Sequence, residues 1–207
     1  MAQLTEEHRA FLRRHKIPED AVFVAAGLKR SKWQAELERQ NKAVALVDDP
    51  CRKNHSLRLR LSSGHCMECS PLGIASWKRH HEPAFVYIAA SPALRRLKIG
   101  LSKVPSDRAD SLNRDGYGGA TDWVIIYRRK FIRGGQIEAQ AQSFLNEYRF
   151  PRTYTRLGHR TTVNADELFA CSYATARDAI ERLEEHALTG RWERPDAHLK
   201  YNFVASL

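Results

Sequence analysis

The chain has 207 residues, a formal net charge of +10 and a pI near 9.7. That length allows one medium domain, or a small domain with appendages, with enough apolar side chains for a real core. The charge favours a polyanionic partner, nucleic acid first, over the alternative of a generally soluble basic protein. No run is long enough to span a membrane and MAQLTEEHRAFLRRHK lacks the apolar centre of a signal peptide, so a cytoplasmic protein without a membrane partner is expected. In a reducing compartment the four cysteines are to be read as metal ligands or core thiols, not as a disulfide framework.

Residues Leu4 to Lys16 read as a helix: Thr5 can cap it, Glu6 and Glu7 suit its positive end, and Phe11 and Leu12 supply an apolar stripe. A second helix is expected over Glu19 to Ala26, stopped by Gly27, and a third from Ser31, with Gln34 closing a capping box and Trp33 and Leu37 inward. Three short helices also suit a helix-turn-helix, but a small helical bundle with Lys29, Arg30 and Lys32 on a solvated face has the same pattern.

From Pro50 the composition changes. Ser56-Leu57-Arg58-Leu59-Arg60-Leu61 alternates strictly, which predicts a strand with leucines on one face and Arg58 and Arg60 turned outward towards phosphates. Ser62-Ser63-Gly64 is a turn. Cys51 and His55 lie before the strand and Cys66-Met67-Glu68-Cys69 after it, so four zinc-type ligands meet at one end of a β-ribbon, with His65 competing for the histidine place. A zinc held by Cys51, His55, Cys66 and Cys69 leaves no open position and would be structural. The segment resembles the small zinc ribbons of phage-related nuclease proteins. Ser70 to Pro83, with His80 and His81, reads as a basic linker.

Phe85 to Ala90 is a β-rich apolar run, Ser91 to Arg96 a turn, and Leu97-Lys98-Ile99-Gly100 the start of a second strand: a hairpin with Tyr87 on one arm and Lys98 on the other. Lys103 follows as a candidate phosphate contact, and Pro105 begins a short helix with Arg108 in its first turn. Asp122 to Phe131 reads as a third strand, and Gln136 to Tyr148 as a helix whose inward stripe is Ile137, Ala141, Phe144, Leu145 and Tyr148, with Glu138 beside it. Arg149, Arg152, Arg156 and Arg160, interleaved with Phe150 and Tyr154, suit a nucleic-acid-binding loop. Ser172 caps a last helix to about His186, Cys171 reads as a packed thiol, and the tail after Gly190 carries no motif.

The ordered set Val86-Tyr87-Ile88, Lys98-Ile99-Gly100, Arg108, Glu138 and the closing Glu167-Leu168-Phe169 resembles the GIY-YIG nuclease superfamily, in the phage-type branch whose second motif reads KIG. The resemblance covers roughly Phe85 to Leu183. It implies that Glu138 binds one Mg²⁺ or Mn²⁺, that Arg108 holds the scissile phosphate, and that Tyr87 orients or deprotonates the attacking water, with Lys98 and Arg108 as supporting cations. Lys98 stands where the commoner motif has a second tyrosine. Leu112 stands where many relatives have a histidine, leaving Tyr117, Asn113 and the linker histidines as substitutes for the proton-transfer partner.

The expected fold is α+β: a small three-stranded antiparallel sheet flanked by helices, preceded by a helical segment and a zinc β-ribbon. The expected organisation is 1–48 helical, 49–72 zinc-ribbon-like, 73–84 linker, 85–190 nuclease-like domain and 191–207 tail. Two functions stand: a divalent-metal-dependent endonuclease acting on nucleic acid, DNA ahead of RNA, or a non-catalytic nucleic-acid-binding or assembly module that retains the fold. In the first, the N-terminal half would bind nucleic acid or a protein partner.

Overall fold

The computed structural model describes residues 3–40 and 42–203. The chain divides into two compact units, residues 1–79 and 80–207.

The first unit opens with α1 (Glu6–Arg14), capped by Thr5 as expected, the box being completed by His8. The second expected helix is absent. Glu19–Ala21 makes one 3-10 turn and the chain then extends as β1 (Val22–Val24), because Val22-Phe23-Val24 carries β-branched and aromatic side chains that pack better on a sheet. Next come α2 (Arg30–Arg39), β2 (Val44–Leu46), β3 (Leu59–Leu61) and α3 (Pro71–His81). The capping box expected at Ser31 does not form, since Lys29 is the N-cap and caps without its side chain. β1 pairs parallel with β2, and β2 antiparallel with β3. The ribbon therefore shares one sheet with the N-terminal segment, and 48/49 is not a structural boundary. Nor is 73–84 a linker, for most of it is α3.

That sheet is covered on both faces. Leu12 of α1 and Ile74 of α3 pack with Val44, Leu46, Leu59 and Leu61 on one side, and Trp33 and Leu37 of α2 pack with Ala45 on the other. Arg60 lies opposite Ala45 and is buried, donating from Nη2 to the Asp49 carbonyl at 2.9 Å. The expectation that Arg60 faces outward is thus corrected: alternation gives two faces, and here α2 covers the second. Arg58 is exposed, but its φ of +51° ends the strand pattern before it.

The second unit is built on β4 (Ala84–Ser91), β5 (Arg96–Ser102) and β6 (Val124–Phe131), all antiparallel. Two short strands the sequence did not announce extend this sheet: β9 (Leu168–Phe169) beside β5, and β10 (Trp192–Glu193) beside β6. The order is β10-β6-β4-β5-β9, five strands where three were expected. One face is covered by α5 (Gly134–Ser143) and α6 (Tyr173–Glu181), whose Ile137, Ala141, Ala176 and Ile180 pack on Val86, Ile88, Leu97 and Ile99. Ala197 in α7 (Ala197–Lys200), Tyr201 and Phe203 complete that core, so the tail is structural as far as it is described; residues 204–207 lie outside the described residues. The other face carries α4 (Arg108–Asp115), a 3-10 turn at Tyr117–Gly119, and a hairpin of β7 (Arg152–Thr155) and β8 (Thr162–Ala165). The arginine-rich segment expected as a loop is therefore largely a β-hairpin, anchored through Tyr154.

Candidate active site and metal centre

In the first unit the chain after β3 turns at Ser62–Gly64 and runs back, the Met67 N–H donating to the Leu59 carbonyl at 3.1 Å. This returns Cys66 and Cys69 to the loop that holds Cys51 and His55. The four ligand atoms lie within 4.8 Å of one another. His55 Nδ1 is 3.2 Å from Cys51 Sγ, 3.3 Å from Cys69 Sγ and 3.7 Å from Cys66 Sγ, and the Cys51 and Cys69 sulfurs are 3.8 Å apart. A tetrahedral zinc would set edges of about 3.8 Å between sulfurs and about 3.6 Å from sulfur to nitrogen. The donor set fits zinc in both chemistry and size. His65 stands aside, exposed and engaged by Ser63 Oγ at 3.0 Å. The His55 backbone N–H pulls the Cys51 thiol down to about 6, as suits a ligand that binds as thiolate.

The second site follows from strand register. Tyr87 faces Gly100 and Ala89 faces Lys98, so these four residues share one face while Val86, Ile88, Leu97 and Ile99 take the other. Gly100 is needed there because a Cβ would lie 2.4 Å from the Tyr87 hydroxyl. The ring lies across the β5 backbone, fully buried, among Ala89, Leu112, Trp123 and Leu168. Arg108, the first residue of α4, reaches back to it, Nε donating to the Tyr87 hydroxyl at 3.0 Å.

Lys98 is only 1 % exposed. Its ammonium donates to the Glu167 carboxylate, and it lies 4.8 Å from the centre of the Tyr117 ring. Burial works against the Lys98 charge, but Tyr87, Tyr117 and Glu167 outweigh it and leave the ammonium more firmly protonated than usual. The Arg108 guanidinium is raised in the same way, against burial, by Tyr87 and then Glu167. Desolvation pushes Tyr117 up to about 12. The site is thus a phenol between two fixed cations, with Glu167 bearing on both.

Glu138 is buried on α5. Gln142, one turn further along the same helix face, donates from Nε2 to the Ile99 carbonyl at 3.1 Å, which lays this face along the backbone of β5 beyond the short reach of β9. Leu112, at the position of the missing histidine, is buried in the Tyr87 cluster. Of the substitutes considered for that histidine, Asn113 is taken up by both backbone groups of Trp123, at 2.6 and 3.0 Å. His81 contacts Gln136 at 3.1 Å.

The expected nucleic-acid contacts are dispersed. Lys103 is exposed and paired with Glu82 at 2.5 Å. Arg149 is exposed but held by Asn146 and the Asp166 carbonyl, while Arg152, Arg156 and Arg160 are exposed on or between β7 and β8. Glu167 was legible only as part of a closing motif; its partnership with Lys98 depends on β9 pairing with β5, which no local pattern announces.

No helix among the described residues is long and apolar enough to cross a membrane. No curated protein and no solved structure matches the chain. Residues 84–184, which contain Tyr87, Lys98, Arg108, Glu138 and Glu167, match the T5orf172 domain, a phage-associated domain of the nuclease-like type.

Proposed function

We propose that the second unit is a GIY-YIG-type endonuclease that uses a divalent metal to hydrolyse phosphodiester bonds in nucleic acid, DNA foremost. The observation that carries this reading is the Tyr87 hydroxyl accepting from Arg108 at 3.0 Å, with the buried Lys98 paired to a partly exposed Glu167. Phosphodiester hydrolysis needs an oriented water, charge compensation on the phosphate and a stabilised leaving oxygen. Tyr87 orients the water, and Lys98 and Arg108 face the negative charge that develops at its hydroxyl. Arg108, only half withdrawn from solvent, holds the phosphate with the nitrogens that Tyr87 leaves open.

The buried carboxylate of Glu138 suits Mg²⁺ or Mn²⁺, which take one or two protein carboxylates together with phosphate oxygens and water. Such an ion supplies Lewis-acid neutralisation of the phosphate when bound. The first unit serves as a zinc-stabilised segment that binds nucleic acid or a partner.

The second reading, a binding module without chemistry, is favoured by one observation: Leu112 fills with hydrocarbon the place where a histidine would move protons. Incubation with plasmid DNA, single-stranded DNA and RNA, each with Mg²⁺, Mn²⁺ or EDTA, separates the two. Metal-dependent cleavage of one substrate supports the nuclease and names its substrate class. Tight, salt-sensitive binding without cleavage supports the module.

A further inference from the structure

Three consecutive basic residues on β6, Arg128-Arg129-Lys130, are divided by strand alternation. Arg129 lies opposite Val86, on the face covered by α6, and is neutralised there by Glu181 at 2.8 Å and Glu184 at 3.5 Å. Arg128 lies opposite Tyr87 and Lys130 opposite Phe85, on the Tyr87 face. Both are partly exposed, and among the described residues neither has a carboxylate within 4 Å. What they meet is aromatic: Arg128 lies 5.0 Å from the centre of the Trp192 ring and Lys130 5.7 Å from that of Phe85. Trp192 is itself opposite Arg128 and is 43 % exposed. One row across the sheet thus reads Trp192, Arg128, Tyr87, Gly100.

We propose that Arg128 and Lys130 form a phosphate-binding track that leads the nucleic-acid backbone to Tyr87 and Arg108. Neither cation loses its charge to a carboxylate, so both are open to an anion, and two residues apart on one strand their Cα atoms stand about 6.6 Å from each other, the guanidinium leaning over Trp192 of β10 and the ammonium over Phe85 of β4. Held over rings, the two cations keep a fixed position without losing charge to a carboxylate. Trp192 beyond them is a platform on which an unpaired base can stack. This assignment rests on the nucleic-acid reading of the Tyr87 site but not on catalysis there.

The test is binding of a labelled oligonucleotide to the full chain in EDTA, measured by fluorescence anisotropy from 50 to 300 mM salt. Arg128→Ala/Lys130→Ala is compared with wild type and with Arg182→Ala, which removes a charge at the C-cap of α6, over the Phe144 ring on the helix-covered side. The double variant should bind at least about tenfold more weakly, with the salt slope lowered by about 2, since each lost phosphate contact removes roughly 0.9. Arg182→Ala should do neither. Equal affinity and slope for wild type and the double variant would overturn the track, and so would no binding by the wild type. Loss of binding in a protein that never cleaves would keep the track and remove only the nuclease reading.

Discussion

Gly100→Ala should destabilise the second unit, and the sign is the informative part. Gly100 lies within β5 and does not adopt a positive φ. Backbone entropy alone would make alanine stabilising there by about 0.4–1 kcal/mol. The new Cβ, however, would sit 2.4 Å from the Tyr87 hydroxyl and 2.5 Å from its Cζ. The tyrosine cannot swing aside cheaply, because it is fully buried against Leu112, Trp123 and Leu168. Overpacking of a filled core costs about 1–3 kcal/mol, and a weakened hydrogen bond from the Arg108 cation adds about 1 kcal/mol or more. The net expectation is a loss of about 2–3 kcal/mol, or roughly 10 °C in the midpoint of this unit. Urea unfolding followed by near-ultraviolet circular dichroism measures it, with Gly190→Ala as control, since that Cβ meets nothing within 4 Å. A Gly100→Ala protein as stable as Gly190→Ala would refute the placement of the tyrosine over β5.

The cluster of Cys51, His55, Cys66 and Cys69 should yield about one zinc per chain on metal analysis; Cys66→Ser should lose it and His65→Ala keep it, and a folded, metal-free wild type would contradict the assignment. Glu167→Gln should cost about 1–3 kcal/mol in urea unfolding, because it leaves the Lys98 ammonium buried without its carboxylate, whereas Lys98→Met leaves a partly hydrated Glu167 and should cost less. Because the folded Lys98 is raised, the pair's contribution is complete below the unfolded value of about 10.4 and is lost as pH rises through the folded one. The stability difference between wild type and Lys98→Met should hold from pH 7 to 9 and narrow above 10.5; narrowing already by pH 8 would show a depressed lysine. Arg60→Ala should destabilise the first unit by about 1–3 kcal/mol through lost packing and leave oligonucleotide affinity unchanged, and the reverse pattern would place Arg60 on the surface.

The parts of the molecule legible in the sequence were those fixed by local pattern. Phe85–Gly100 runs as a β-rich apolar stretch, a polar turn and a second stretch, as a hairpin must, Pro105 starts the turn that leads to Arg108, and Cys-x-x-x-His with Cys-x-x-Cys around a turn leaves zinc ligands little choice of place. What stayed hidden depends on pairing at a distance. Val22-Phe23-Val24 is too short to read as a strand without β2 beside it, and Leu168-Phe169 and Trp192-Glu193 are two-residue edges defined only by their neighbours. Arg60 misled because alternation separates two faces without saying that α2 covers the second. Glu167 and Lys98 lie 69 positions apart, so their ion pair is a product of the sheet order and of nothing nearer in the chain.

The proposed nuclease requires that buried Glu138 serve chemistry and not architecture. Its most direct test is the rate of metal-dependent plasmid cleavage by Glu138→Ala beside wild type, with oligonucleotide affinity and thermal midpoint measured on the same preparations. Loss of at least about 10²-fold in cleavage, with affinity and midpoint near wild type, is the predicted result. Cleavage that survives the substitution, or that falls only in step with affinity and stability, would contradict it.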